Sequence, residues 1–126
     1  TEAGTETILV VEDEPDVRKI VCKLLALAGY SILEAAGPLE ALELFENSDK
    51  PVDLLLTDVI MPEMNGKELY EQITLQDPDI KVLFMSGYTH GVIDHGGILP
   101  DAVNFLQKPF APAVLSSKVR KILDAP

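Results

Sequence analysis

The chain has 126 residues, 47 % hydrophobic and 25 % charged, with a formal net charge of −11. That is one domain's length, enough to bury a core without disulfides or a structural metal, and acidic enough to argue against direct binding to nucleic acid. The single cysteine, Cys22, cannot form an internal bridge and suits a reducing compartment, no apolar run reaches the length of a membrane span, and the polar, acidic start is not a signal peptide.

A cytoplasmic location is therefore expected, with no membrane contact. The first residue is Thr1 rather than Met, which points to a processed chain or a piece of a longer protein. Residues 1–6 are expected to be a tether and residues 7–124 the folded domain.

In chain order, the first apolar run is Ile8–Val11. Val17, Ile20, Val21, Leu24, Leu25 and Ala28 then follow helical spacing, with Pro15 in the first turn and Gly29 as the stop. A second run covers Ser31–Glu34, and a helix over Pro38–Asn47 should turn Ala41, Leu42 and Phe45 inward. The third run is Val52–Thr57, followed by a helix over Gly66–Gln76 with Leu69 and Ile73 inward; Pro78 blocks a longer one. Lys81–Met85 is the fourth run and Val103–Leu106 the fifth, and between them lie Gly91, Gly96, Gly97 and Pro100, so a helix there would be short. A last helix over Ala111–Leu123 should bury Leu115, Val119, Ile122 and Leu123, with fraying from Lys121 to Pro126.

Near-continuous apolar runs suit strands buried on both faces of a parallel sheet. Strands alternating with helices imply right-handed crossovers and a three-layer α/β domain. In such a fold ligands bind beyond the carboxyl ends of the strands. The polar residues there are Glu12 and Asp13 after the first strand, Asp58 at the end of the third, Ser86 after the fourth and Lys108 after the fifth.

Three converging carboxylates repel one another without a cation, and hard oxygen ligands suit Mg²⁺. Lys108 would bring a second positive charge to phosphoryl oxygens, and Ser86 a hydrogen bond. Phosphoryl transfer needs mainly positioning, charge stabilisation and an in-line nucleophile; carboxylates form aspartyl phosphates, so Asp58 is the natural candidate.

Glu12-Asp13, Asp58 in Asp-Val-Ile-Met-Pro-Glu-Met-Asn-Gly, Ser86-Gly87 and Lys108-Pro109-Phe110 together resemble the response-regulator receiver family of two-component signalling. The similarity covers nearly all of residues 7–124. It implies a doubly wound, five-stranded parallel sheet of flavodoxin-like type in strand order 2-1-3-4-5. It also implies that Asp58 is the phosphoacceptor, with Lys108 and Ser86 at the phosphoryl group. Mg²⁺ would be held by Asp13 and Asp58, by the Ile60 backbone carbonyl, and by Glu12 directly or through water. Ser86 and Phe105 occupy the positions of the family's switch pair. The Lys108–Pro109 peptide bond matches a site that is usually cis.

The implied phosphodonor is a histidine kinase or a histidine phosphotransfer protein. The segments around Gly4–Glu14, Phe84–Thr89 and Phe105–Phe110 resemble receivers attached to hybrid sensor histidine kinases, the alternative being a stand-alone regulator. The domain itself is then a switch with self-phosphorylation and slow autophosphatase chemistry, and the parent protein a candidate kinase. A monomer is expected before phosphorylation, since glycines 91, 96 and 97 weaken the surface by which many receivers pair. Ile60 and Tyr88, which flank the approach of water in the family, cannot orient a water molecule, so slow loss of the phosphate is expected.

Other classes fit worse. A Mg²⁺-dependent phosphohydrolase with an aspartate nucleophile typically carries a second Asp two residues after the first, where this chain has Ile60. A flavin module would want a phosphate loop where Glu12-Asp13-Glu14 stands. Taken singly, Asp58 could cap a turn, Asp13 could cap the first helix, Ser86 could be a loop serine, Lys108 a surface lysine and Phe105 core. His90 and His95 read as surface histidines, Cys22 as helix packing, and Met61 and Met64 as loop packing.

Overall fold

A computed structural model describes residues 6–87 and 104–125. Five parallel strands form one sheet in the order β2-β1-β3-β4-β5. They are β1 (Thr7–Val11), β2 (Ser31–Ala35), β3 (Leu54–Asp58), β4 (Lys81–Ser86) and β5 (Phe105–Gln107). The helices among the described residues are α1 (Pro15–Leu27), α2 (Pro38–Asn47), α3 (Gly66–Thr74) and α4 (Pro112–Asp124). The short helix expected between the fourth and fifth runs, His90, His95, Tyr88 and Val103 lie outside the described residues.

Strand alternation divides the core between the two faces of the sheet. Leu9, Val11, Leu55 and Phe84 pack toward Ala41 of α2 and Leu69 and Ile73 of α3. Ile8, Val10, Leu54, Leu56 and Met85 pack toward Val21 and Leu25 of α1 and Leu115, Val119 and Ile122 of α4. β1 and β3 are therefore buried along their whole length, while the edge strand β2 keeps Ser31 and Glu34 exposed. Each large aliphatic side chain taken from water here contributes about 2 kcal/mol.

Local chemistry sets the helix boundaries. Pro15, Pro38 and Pro112 each open a helix, where the missing N–H costs nothing. Gly29, with φ 100°, provides the left-handed stop after α1. Asn65 and Glu68 form a reciprocal capping box at α3, at 2.8 and 2.9 Å.

Several expectations need correction. β3 begins at Leu54 rather than Val52; Asp53, just ahead of it, donates its N–H to Thr7 O at 2.8 Å and accepts the Thr7 N–H on Oδ2 at 2.8 Å. α3 ends at Thr74 and closes its last turn on Ile73, whose carbonyl accepts from Gln76 and Asp77. Ile20 points outward and is 57 % exposed. Asp13 does not cap α1; Glu14 is the N-cap residue and makes no side-chain capping bond.

The carboxyl terminus does not fray from Lys121. α4 continues to Asp124, Ile122 is buried, and Lys81 Nζ donates to the carbonyls of Leu123 and Ala125. Glu6, placed in the tether from sequence, accepts from both Arg120 terminal nitrogens, at 2.7 and 3.4 Å.

Candidate functional site

The parallel register carries the carboxyl ends of β1, β3, β4 and β5 to one edge of the molecule. β3 runs beside both β1 and β4, with Val11 opposite Thr57 and Asp58 opposite Met85. Val59 N donates to Met85 O at 2.9 Å, and Lys108 N to Ser86 O at 2.8 Å, so each loop leaves the sheet already tied to its neighbour. Glu12 follows β1, Asp58 and Ser86 are the last residues of β3 and β4, and Lys108 follows β5. Glu12, Asp58 and Ser86 are buried, whereas Asp13 is exposed.

Lys108 is the central cation of this cluster. Its Nζ donates to Glu12 Oε1 at 2.8 Å and lies 3.2 Å from Asp58 Oδ1 and 3.4 Å from Glu14 Oε1. Burial pulls its pKa down, but Glu12 and Asp58 more than offset this, and the net shift is upward. It therefore stays protonated.

The two buried carboxyls divide one proton's worth of stress between them. Burial pushes Asp58 up to about 8, helped by its hydrogen bond to Glu12 and repulsion from that carboxylate; Lys108 opposes the shift. Burial also works to raise Glu12, but its hydrogen bonds with Asp58 and Lys108 outweigh that and leave it below its ordinary value. Glu12 is thus the ionised member of the pair and Asp58 the one that takes the proton when no cation is bound.

A cation would change that division. Glu12, Asp13 and Asp58 each offer a carboxylate oxygen, and these atoms lie within 4.8 Å of one another. Glu12 Oε2 is buried with no hydrogen-bond partner among the described residues, a costly state for a charged oxygen. An all-oxygen, excess-negative donor set of this kind fits a hard divalent ion.

The cluster opens into a cavity of about 670 Å³ whose lining includes the polar Asp13, Asp58, Ser86 and Lys108 and the apolar Val17, Ile20 and Phe110. Ile60 also lines it and is 44 % exposed. The Lys108–Pro109 peptide bond is cis. Phe105 is partly buried and packs with the Phe84 side of the core, opposite Phe84 and two positions before Gln107, which pairs with Ser86. Met61 is buried with that same core and Met64 packs against it. Cys22 is half-buried, and burial pushes its thiol up to about 11, a value that leaves it unreactive.

Three supporting residues escaped the sequence reading. The Thr57 hydroxyl donates to the Asp58 carbonyl at 3.0 Å. Gly66 packs so tightly on that carbonyl that an added Cβ would stand 2.3 Å from its oxygen. Arg18 donates from Nη1 to the Glu12 carbonyl at 2.8 Å and from Nε to Glu34 Oε2 at 2.9 Å. Asn-Gly ahead of a Glu three residues on was a readable signal for the α3 start, but nothing in the sequence aims Gly66 at Asp58 or Arg18 at Glu12.

Residues 8–120 match the family model described as response regulator receiver domain. The sensor kinase CckA of Brucella abortus is 38 % identical over 122 residues, which are 97 % of this chain and 13 % of the kinase. The response regulator receiver protein CpdR of the same organism is 36 % identical over 118 residues, 94 % of this chain and 97 % of that protein. Among solved structures, the receiver domain of the hybrid histidine kinase CckA superposes with a TM-score of 0.78 at 36 % identity, covering 94 % of this chain and 99 % of that one. The response regulator TrrA of Thermotoga maritima, solved in complex with Mg²⁺-BeF, gives 0.78 at 31 % identity with the same coverage.

Proposed function

This chain belongs to the response regulator receiver domain family, and on that premise we propose that Asp58 accepts a phosphoryl group from a phosphohistidine, with Mg²⁺ held by Glu12, Asp13, Asp58 and the backbone carbonyl of Ile60. The observation that carries this reading is the buried Glu12–Asp58 pair set against a single ammonium, Lys108, where three strands end. Bound there, Mg²⁺ would offset the surplus negative charge and help neutralise phosphoryl oxygens.

An ionised Asp58 oxygen attacks phosphorus. The O–P bond forms as the bond from phosphorus to the donor imidazole nitrogen breaks, and that nitrogen leaves with the electron pair. Lys108 exchanges its carboxylate contacts for the new phosphoryl oxygens, and the Ser86 hydroxyl donates to them. Movement of Ser86 toward the phosphate opens room for the Phe105 ring, which couples the chemistry to the β4–β5 side of the domain.

A histidine kinase or histidine phosphotransfer protein suits the cavity, because the apolar wall of Val17, Ile20 and Phe110 gives a docked protein something to bury beside the acidic cluster. The receiver unit is taken as residues 7–124, with residues ahead of it as the tether. The resemblance to the CckA receiver favours attachment to a hybrid sensor histidine kinase in the cytoplasm. The near full-length match to CpdR favours the second reading, a stand-alone regulator.

The test is intact mass after incubation with acetyl phosphate or beryllofluoride. One adduct is expected with Mg²⁺ and none in EDTA; equal modification in EDTA contradicts the metal's role.

A further inference from the structure

The carboxylates that meet at this site do not position themselves. Glu12 and Asp13 sit at the sharp exit from β1, where the chain turns from the sheet into α1. A turn of that kind leaves the Glu12 carbonyl without a ladder or helix partner, and it needs a donor from elsewhere. Arg18, one turn into α1, supplies it: Nη1 donates to the Glu12 carbonyl at 2.8 Å. The same guanidinium is pinned from behind by Glu34 of β2, whose Oε2 accepts from Nε at 2.9 Å. The preceding peptide, Val11–Glu12, is held by the Glu12 N–H, which donates to Ala35 O at 3.2 Å. The two peptides that flank Glu12 are thus tied, the first to the edge strand through its N–H and the second to α1 through its carbonyl, and together they set where the Glu12 and Asp13 side chains start.

We infer that Arg18 is a positioning residue for the cation site, acting through the Glu12 backbone carbonyl with Glu34 as its anchor. This rests on the metal reading given above. Arg18 side-chain exposure is 16 % and that of Glu34 47 %, so the guanidinium is largely buried where it meets the Glu12 carbonyl and the Glu34 carboxylate rather than lying loose on the surface. Its planar fork reaches both at once, which a lysine ammonium on a single point cannot do.

Positioning and plain electrostatics predict opposite signs. Arg18 is a cation close to a cation site, and removing its charge should by Coulomb attraction alone tighten binding of a divalent ion. If Arg18 instead fixes the peptide that orients two ligands, its removal weakens binding, as loss of outer supports at metal sites commonly does, by about 10-fold.

The measurement is calorimetric titration of Mg²⁺ into the wild-type chain, Arg18→Met, Arg18→Lys and Glu34→Gln, with circular dichroism to establish that each is folded. The expected order is wild type tightest, Arg18→Met about 10-fold weaker, and the other two in between. Arg18→Met binding as tightly as wild type or more tightly overturns the inference. If Arg18→Met does not fold, Arg18→Lys reads the same quantity with the positive charge in place and the two-acceptor fork lost, and unchanged affinity there overturns it. No Mg²⁺ binding by the wild type would instead sink the metal reading on which this one stands.

Discussion

Asp58 and Glu12 carry the tension of the site, and their shifts point in opposite directions. Burial and the neighbouring Glu12 raise Asp58 to about 8 in the metal-free protein. A raised carboxyl holds its proton in the folded state after the unfolded chain has released it. Its contribution to stability is therefore complete below about pH 4 and is lost as the pH rises through about 8. Glu12, shifted down, contributes in full above its ordinary value of 4.5, so it adds no slope in that window. Metal-free wild type should lose stability from pH 4 to 8 relative to Asp58→Asn, and saturating Mg²⁺ should remove the difference in slope. Parallel denaturant-midpoint profiles for the two proteins without metal would contradict this. The five polar residues of the site were legible because each stands where a strand ends, a position that sequence can mark. Thr57, Gly66 and Arg18 were not, since their work is done on backbone carbonyls that no side-chain pattern records.

At the scale of elements, the junction between β3 and α3 is the tightest. Gly66 opens α3 directly over the Asp58 carbonyl, and Gly66 N donates to Val59 O at 2.8 Å, which folds the connecting loop back on the strand. Glu63 in that loop adopts φ 77°, a left-handed conformation that costs a non-glycine residue about 1 kcal/mol. An alanine at position 66 would set its Cβ 2.3 Å from the Asp58 oxygen and 3.2 Å from Thr57 Cγ2, and the nearer clash is with backbone that cannot rotate away. Gly66→Ala should cost about 1–3 kcal/mol by chemical denaturation, as overpacking does, and should slow phosphorylation beyond what the stability loss explains. A variant within 0.5 kcal/mol of wild type, roughly the scatter of neutral surface changes, would contradict the close approach. Apolar periodicity and the Pro and Gly signals located these elements to within a few residues. The ends drifted by a few residues: β3 begins at Leu54 rather than Val52, and α4 is prolonged by burial of Ile122 and by the Arg120–Asp124 pair at 2.8 Å.

Over the whole molecule, alternation of buried strands and amphipathic helices made a parallel α/β layer structure readable from the chain. The strand order was not: apolar runs mark strands, not their neighbours, and 2-1-3-4-5 came from likeness to a family. That order matters, because it sets β1, β3 and β4 side by side and brings Glu12, Asp58 and Ser86 to one edge. At the opposite end Arg120 gathers Glu6, Asp124 and the Tyr30 hydroxyl, so the start and finish of the domain are held together away from the chemistry. In the proposed function Asp58 is the residue whose modification everything else at this site serves. Wild type and Asp58→Asn should be incubated with acetyl phosphate and Mg²⁺ and compared by intact mass, with circular dichroism confirming that both are folded. A single phosphoryl adduct is expected on the wild type and none on the nearly isosteric mutant; a full adduct on Asp58→Asn would rule out Asp58 as the phosphoacceptor.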